Sequence, residues 1–146
     1  MSFNCYALSP DHEKMNHALE ISGLPMIIGE YHFGTVDRGL AQSLWQVNSQ
    51  KERGDAFRYY TENAFAHRGL IGTGWFRWID QNINGRTDGE NYNCGFIDVT
   101  DRPYPYMVDA AIETAKSLYE IHSGTKTPFH QAPNAVGHSP IPDLWE

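Results

Sequence analysis

The chain has 146 residues, 40% hydrophobic and 20% charged, enough for one core and too few for two ordinary domains. Aromatics make up 13%, including four Trp and eight Tyr, which excludes a disordered polar chain because such residues bury enough apolar surface to offset ordering entropy. Eleven Lys and Arg against eighteen Asp and Glu leave a net charge of −7, so the field that gathers phosphate backbones is absent and nucleic acid is not an expected partner.

Ser2 to Leu8 is a short apolar-aromatic run closed by Ser9-Pro10-Asp11, the pattern of a strand running into a helix N-cap. From Asp11 to Ser22, Met15, Ala18, Leu19 and Ser22 recur at helical spacing, and Gly23 stands where a left-handed cap is wanted. Pro25-Met26-Ile27-Ile28 is continuous rather than alternating, as expected of a strand buried in a parallel sheet, and it ends at Gly29-Glu30. Tyr31 to Asn48 reads as a long loop. Ala56, Tyr59, Tyr60, Asn63, Ala64 and His67 then trace one face of a helix within 49–67.

Leu70 to Ile79 reads as a third buried strand, with Gly72 and Gly74 allowing close backbone packing rather than forming a dinucleotide loop. A polar stretch follows, and then Val108, Ala111, Ile112, Ala115, Leu118 and Tyr119 predict the core face of a helix that stops at Ser123-Gly124. The Pro-rich residues 125–146 read as an extended tail. The order is β-α-β-α-β-α, an α/β fold with right-handed βαβ units and a parallel sheet. No apolar run reaches the roughly 20 residues that span a bilayer, and the first residues lack the basic and apolar regions of a signal peptide, so no membrane partner is expected. Cys5 and Cys94 are expected to be separate structural thiols, because they lie far apart without C-x-x-C spacing.

In parallel α/β folds the reacting groups sit at the C-terminal ends of strands. That rule selects Asn4 and Tyr6, then Glu30 and His32, then Trp75, Trp78, Asp80 and Gln81. A carboxylate directly after an apolar strand is costly to bury, which marks Glu30 as a candidate catalytic acid. Asp80-x-Asn82-x-Asn84-Gly85 imitates the start of a calcium loop, yet the twelfth position is Asn91 and the preceding segment is strand-like, so a sugar-facing loop is the better reading. The seven His show no paired one-turn ligand spacing, and neither metal nor cofactor is expected.

Gly29-Glu30-Tyr31-His32-Phe33-Gly34, Asp37-Arg38-Gly39, Trp75-Phe76, Asp80-Gln81, Gly85-Arg86, Asp88-Gly89-Glu90-Asn91-Tyr92 and Gly95-Phe96-Ile97-Asp98 follow one another in the chain. In this order they resemble the β-agarases of glycoside hydrolase family 50, from about Ser2 to Gly124. The resemblance implies a partial TIM barrel: three parallel βα units, strands six to eight of a (β/α)8 barrel, over 1–124, with 125–146 as the tail. It also implies a retaining glycosidase that hydrolyses the β-galactosidic linkages of agarose. Glu30 matches its nucleophile, Tyr6 the tyrosine that orients the nucleophile, and Trp75 the aromatic floor for sugar. Asn4, His32, Asp80, Gln81, Arg86 and Glu90 fall around the sugar site. Aromatic faces cover the C–H faces of a sugar, whereas amides, imidazoles, guanidinium groups and carboxylates satisfy its hydroxyls.

A complete barrel takes about 250 residues. The chain is therefore expected to lack strands one to five, and with them the acid/base Glu, which in this clan usually follows an Asn; no Asn-Glu dipeptide occurs here. The isolated chain is expected to be inactive. The expected partners are a galactan or agar oligosaccharide and either a second copy or the missing N-terminal barrel part. Two alternatives stay open: a catalytically inactive carbohydrate-binding or barrel-completing module, and a related β-galactosidase-type enzyme. The family resemblance implies a secreted or periplasmic setting.

Overall fold

The computed structural model describes residues 1–138. The first helix, α1 (His12–Ser22), starts on Asp11, whose carboxylate accepts from the backbone N–H groups of Glu13 (2.9 Å) and Lys14 (3.2 Å). It ends on Gly23 in the left-handed region at φ 63°, with the Gly23 N–H donating to the Leu19 carbonyl. Such caps satisfy helix-end groups that would otherwise lack partners and are worth about 1 kcal/mol each. Helix α2 (Gln50–Phe65) is capped by the Ser49 hydroxyl, and α3 (Pro105–His122) opens with proline, whose missing N–H costs nothing there.

Strands β1 (Ser2–Asn4), β2 (Met26–Tyr31) and β4 (Leu70–Trp75) form one parallel sheet in the order β1-β2-β4. The first and third strands are shorter than the sequence predicts: their last bonds to β2 are Cys5 N–H on the Glu30 carbonyl and Phe76 N–H on the Tyr31 carbonyl, both at 2.9 Å. Register sets Asn4 opposite Glu30 and Tyr31 opposite Trp75, so the sequence-selected strand ends lie together. Gly74 makes this possible, since a Cβ there would press on the Gly29 carbonyl of the neighbouring strand.

Met26, Ile28, Leu70, Tyr31 and Phe33 from the sheet side pack with Ala56, Phe57, Tyr60 and Met107 from the helices. Tyr31 and Tyr60 stack at 4.0 Å between centroids, and the Tyr60 hydroxyl donates to the Cys5 carbonyl at 2.6 Å. Cys5 and Cys94 are both buried and are not joined in a disulfide.

The buried face of α3 differs from the predicted one. Met107, Ala110, Thr114, Ser117 and Ile121 are covered, while Ile112 is 48% and Tyr119 90% exposed. The small residues decide this: Gly54 lies against the Tyr106 backbone and Ala110, so α2 and α3 approach closely through a narrow, partly polar seam. The apolar stripe is left on the flank, beside Ile71 of the outer strand, which is 59% exposed.

The long loop and the tail also hold structure that the sequence pattern misses. Trp45–Gln46 (β3) pairs antiparallel with Val136–Gly137 (β5), so the tail is not merely extended. On its way there the tail crosses α2, where Phe129 N–H donates to Glu62 and Asn63 donates to the Phe129 carbonyl. The remainder of the predicted tail, 139–146, lies outside the described residues. Among the described residues no helix is long and apolar enough to cross a membrane.

Candidate active site

At the C-terminal edge of the sheet the Tyr6 hydroxyl donates to Glu30 Oε2 at 2.8 Å. Both groups owe their place to the parallel pairing of β1 with β2, which also fixes Cys5 N–H on the Glu30 carbonyl at 2.9 Å. Tyr6 is held at its other end as well, because the Trp45 indole N–H donates to its carbonyl at 2.8 Å. Burial, and then the hydrogen bond and charge of Glu30, push the phenol far above its ordinary value, so it remains a donor at neutral pH. Asn4 stands on the exposed strand position opposite Glu30.

His32 lies under this pair. Its ring meets Tyr6 edge-on at 5.0 Å and Tyr92 at 5.8 Å. Nδ1 donates to the Phe76 carbonyl at 3.0 Å, and Nε2 accepts from Leu44 N–H at 3.1 Å, which assigns the neutral tautomer. With both nitrogens engaged and 2% exposure, His32 is not placed to bond a sugar hydroxyl. Burial lowers its pKa from 6.5 to about 3.

A folded-state value below the unfolded one gives stability that is present above about pH 6.5 and lost as pH falls toward 3. Buried His67 is shifted in the same direction. Unfolding free energy is therefore expected to fall below pH 6.5, by up to about 1.4 kcal/mol per pH unit for each such proton. Urea unfolding at several pH values checks this, and a stability independent of pH between 6.5 and 4 contradicts it.

Three further candidates form a second group, in the loop after β4. Gln81 donates to Glu90 Oε2 at 2.7 Å and accepts from Tyr92 N–H at 2.6 Å. Arg86 pairs with Asp88 at 2.8 Å and lies 3.4 Å from the same Glu90 oxygen. The group meets the first one through aromatic rings: Arg86 sits over Phe76, and both Phe76 and Tyr92 border His32.

Asp80 and Trp75 are placed differently from what the resemblance implies. Asp80 faces inward, 4% exposed, and accepts from Asn93 Nδ2 on both oxygens, from Gly95 N–H and from the Tyr104 hydroxyl. Three donor groups in four contacts leave it no capacity for a sugar hydroxyl or for the first position of a calcium loop. Trp75 donates its indole N–H to the Cys94 carbonyl at 2.7 Å and packs edge-on against Tyr31, Phe57 and Phe96, on the α2 side of the sheet. The open aromatic face belongs to Trp78, stacked on Phe96 and 69% exposed.

Trp45, Tyr92 and Arg53 are the contributors that the sequence reading leaves out. Arg53 is fully buried, donates to the carbonyls of Asn93 and Gly95, and lies 4.5 Å over the Tyr104 ring. A charged residue inside a predicted helix carries no mark of burial; the Gly54 beside it is the only local sign that this face is packed closely.

No protein-family model matches the sequence. Over 126 residues the chain is 40% identical to β-agarase A and 37% identical to β-agarase B, both of Vibrio sp. strain JT0107, each match covering 82% of this chain. The chain spans 13% of the length of either relative. The solved structure of an exo-β-agarase superposes with a TM-score of 0.79 at 38% identity, covering 86% of this chain and 17% of that one.

Proposed function

Because this chain is a homologue of the β-agarases of glycoside hydrolase family 50 along one segment of them, we propose that it carries the nucleophile half of a retaining glycosidase site for the β-galactosidic linkages of agarose. The Tyr6 hydroxyl on Glu30, at the ends of adjacent parallel strands, carries this reading. In such a site a carboxylate attacks the anomeric carbon, the glycosidic C–O bond breaks, and a second carboxyl about 5–5.5 Å away protonates the departing oxygen. Tyr6 holds one Glu30 oxygen and so orients the other toward the sugar.

Glu90 is an unsuitable proton donor, since its Oε2 already accepts from Gln81 and faces Arg86. We therefore assign the proton donor to a part of the protein beyond these residues, and we place β1, β2 and β4 as strands six to eight of a (β/α)8 barrel, with the tail after residue 124 outside it. Asn4, Arg86 and Glu90 border the sugar in this reading, whereas Gln81, fully buried and engaged by Glu90 and by the Tyr92 N–H, holds Glu90 in place instead of meeting the sugar that the family resemblance implies for it. Hydrolysis of agar oligosaccharides by the 146-residue chain is expected to be unmeasurable, because general acid assistance contributes about 10²–10⁴-fold. Hydrolysis by the isolated chain at a rate that Glu30→Gln leaves unchanged would sink both assignments.

The exposed flank supports a proposal about partners. A pocket of about 320 Å³ opens between β4 and α3, lined by Phe65, Leu70, Ile71, Leu118, Tyr119 and His122. It lies beside the unpaired edge of the outer strand, where a further βα unit would continue the sheet. In isolation, two copies are expected to cover this flank for each other. Sedimentation velocity should show concentration-dependent association that Ile71→Lys with Tyr119→Lys abolishes; a monomer at all concentrations contradicts it.

A further inference from the structure

We infer that His32 is a positioning residue: an uncharged imidazole that ties the loops following all three strands of the sheet together and thereby holds the Tyr6 ring against Glu30. The inference rests on the reading of Glu30 and Tyr6 as the working pair, and it replaces the sugar contact that the family resemblance implies for His32.

The geometry is one of convergence. His32 itself follows β2; its Nδ1–H reaches the Phe76 carbonyl after β4, and its ring edge meets Tyr6 after β1. Its Nε2 receives the N–H of Leu44, just before β3. The Leu44 carbonyl in turn accepts from His138 N–H at 2.7 Å, so the strap that carries β5 braces the same residue through its next peptide group. Next in sequence, Trp45 fixes the Tyr6 carbonyl. Tyr6 is thus gripped at its backbone by Trp45 and at its ring by His32, with its hydroxyl left on Glu30.

Only histidine offers this combination of a donor and an acceptor on opposite sides of a flat aromatic body. Phenylalanine keeps the body and loses both bonds. A second proton on the ring would set an N–H against the N–H of Leu44. Burial opposes a positive charge most, the Arg53 guanidinium adds to it through space, and Tyr6 and Tyr92 face the ring as neutral phenols; the hydrogen bond to the Phe76 carbonyl acts the other way and is outweighed. The imidazole is thereby held neutral throughout the neutral and mildly acidic range.

Nitrogen-15 NMR of the 146-residue chain tests the tautomer, with exposed His17 as internal reference. The expected result is a protonated Nδ1, an unprotonated Nε2 and no titration of His32 between pH 5 and 9. Carbon-13 NMR of the Tyr6 phenol then tests the positioning role, which a merely space-filling residue would not show. In His32→Phe the Tyr6 Cζ resonance at pH 7 is expected to move toward that of an exposed tyrosine as the hydroxyl loses its fixed place on Glu30, while His32→Gln, which keeps a donor and an acceptor, moves it less. Adding an agarose tetrasaccharide to the wild-type chain is expected to shift Tyr6 and leave the His32 nitrogens unmoved.

An imidazolium titrating near 6.5, a protonated Nε2, a Tyr6 Cζ resonance identical in His32→Phe, or a sugar-dependent shift at His32 Nε2 each overturns the inference. If His32→Phe does not fold, the wild-type nitrogen spectra and the sugar titration decide it alone. Failure of Glu30 as nucleophile is read separately, from turnover of Glu30→Gln in a chimaera of β-agarase A that carries residues 1–124 of this chain, and leaves the His32 spectra unaffected.

Discussion

Glu30→Gln is expected to lower turnover by at least about 10⁴-fold in a chimaera in which residues 1–124 replace the matching segment of β-agarase A, with KM for agar oligosaccharides changed little. The amide has the shape of the carboxylate and still accepts the Tyr6 hydrogen bond, which is 2.8 Å in the parent chain. It lacks the nucleophilic oxygen that forms the glycosyl-enzyme ester. Tyr6→Phe should act more mildly, by about 10–100-fold, as expected for loss of one hydrogen bond of about 1.5–3 kcal/mol to a charged group. The two variants separate attack from orientation. A Glu30→Gln chimaera that keeps its rate, in steady-state assays and in trapping with a 2-fluoro galactoside, defeats the assignment of Glu30.

Asp80→Ala is expected to produce the largest loss of stability. It strips partners from the Tyr104 hydroxyl, Asn93 Nδ2 and Gly95 N–H together, all buried. It also takes from the buried Arg53 guanidinium the carboxylate that most counters its charge, leaving the weaker influence of Asp37. Removing one member of a buried charge arrangement costs about 3–5 kcal/mol, a large part of the roughly 5–15 kcal/mol that holds an ordinary domain folded. The urea midpoint should drop by roughly 2 M. Asp88→Ala, which removes the exposed pair with Arg86 and the exposed acceptor of the Glu90 N–H, should cost no more than about 1 kcal/mol. Equal midpoints for the two variants would show that Asp80 is not the hub of the loop. The site would feel the loss of Asp80, since the Cys94 carbonyl that holds Trp75 lies between Asn93 and Gly95.

Local patterns alone determined a good deal here. The Asp11 cap, the Gly23 stop, the unbroken apolar run of Met26 to Ile28 and the β-α-β-α-β-α order follow from short-range chemistry, which acts within a few residues whatever the rest of the chain does. The order in turn places Glu30 at a strand end beside Tyr6, because consecutive parallel strands deliver their C-terminal ends to one edge. Tertiary structure decided the remainder. Which side of α3 is covered depends on the close approach at Gly54, so Met107 and Ala110 are buried and Tyr119 is not. Whether Asp80, Trp75 and His32 face a ligand or the protein depends on partners far away in sequence: Tyr104, Cys94, Leu44 and Phe76. A polar or aromatic side chain has the same letter in either setting. Only the fold supplies the donors and acceptors that fill its valences, and with them the difference between a residue that meets a substrate and one that holds the residue beside it.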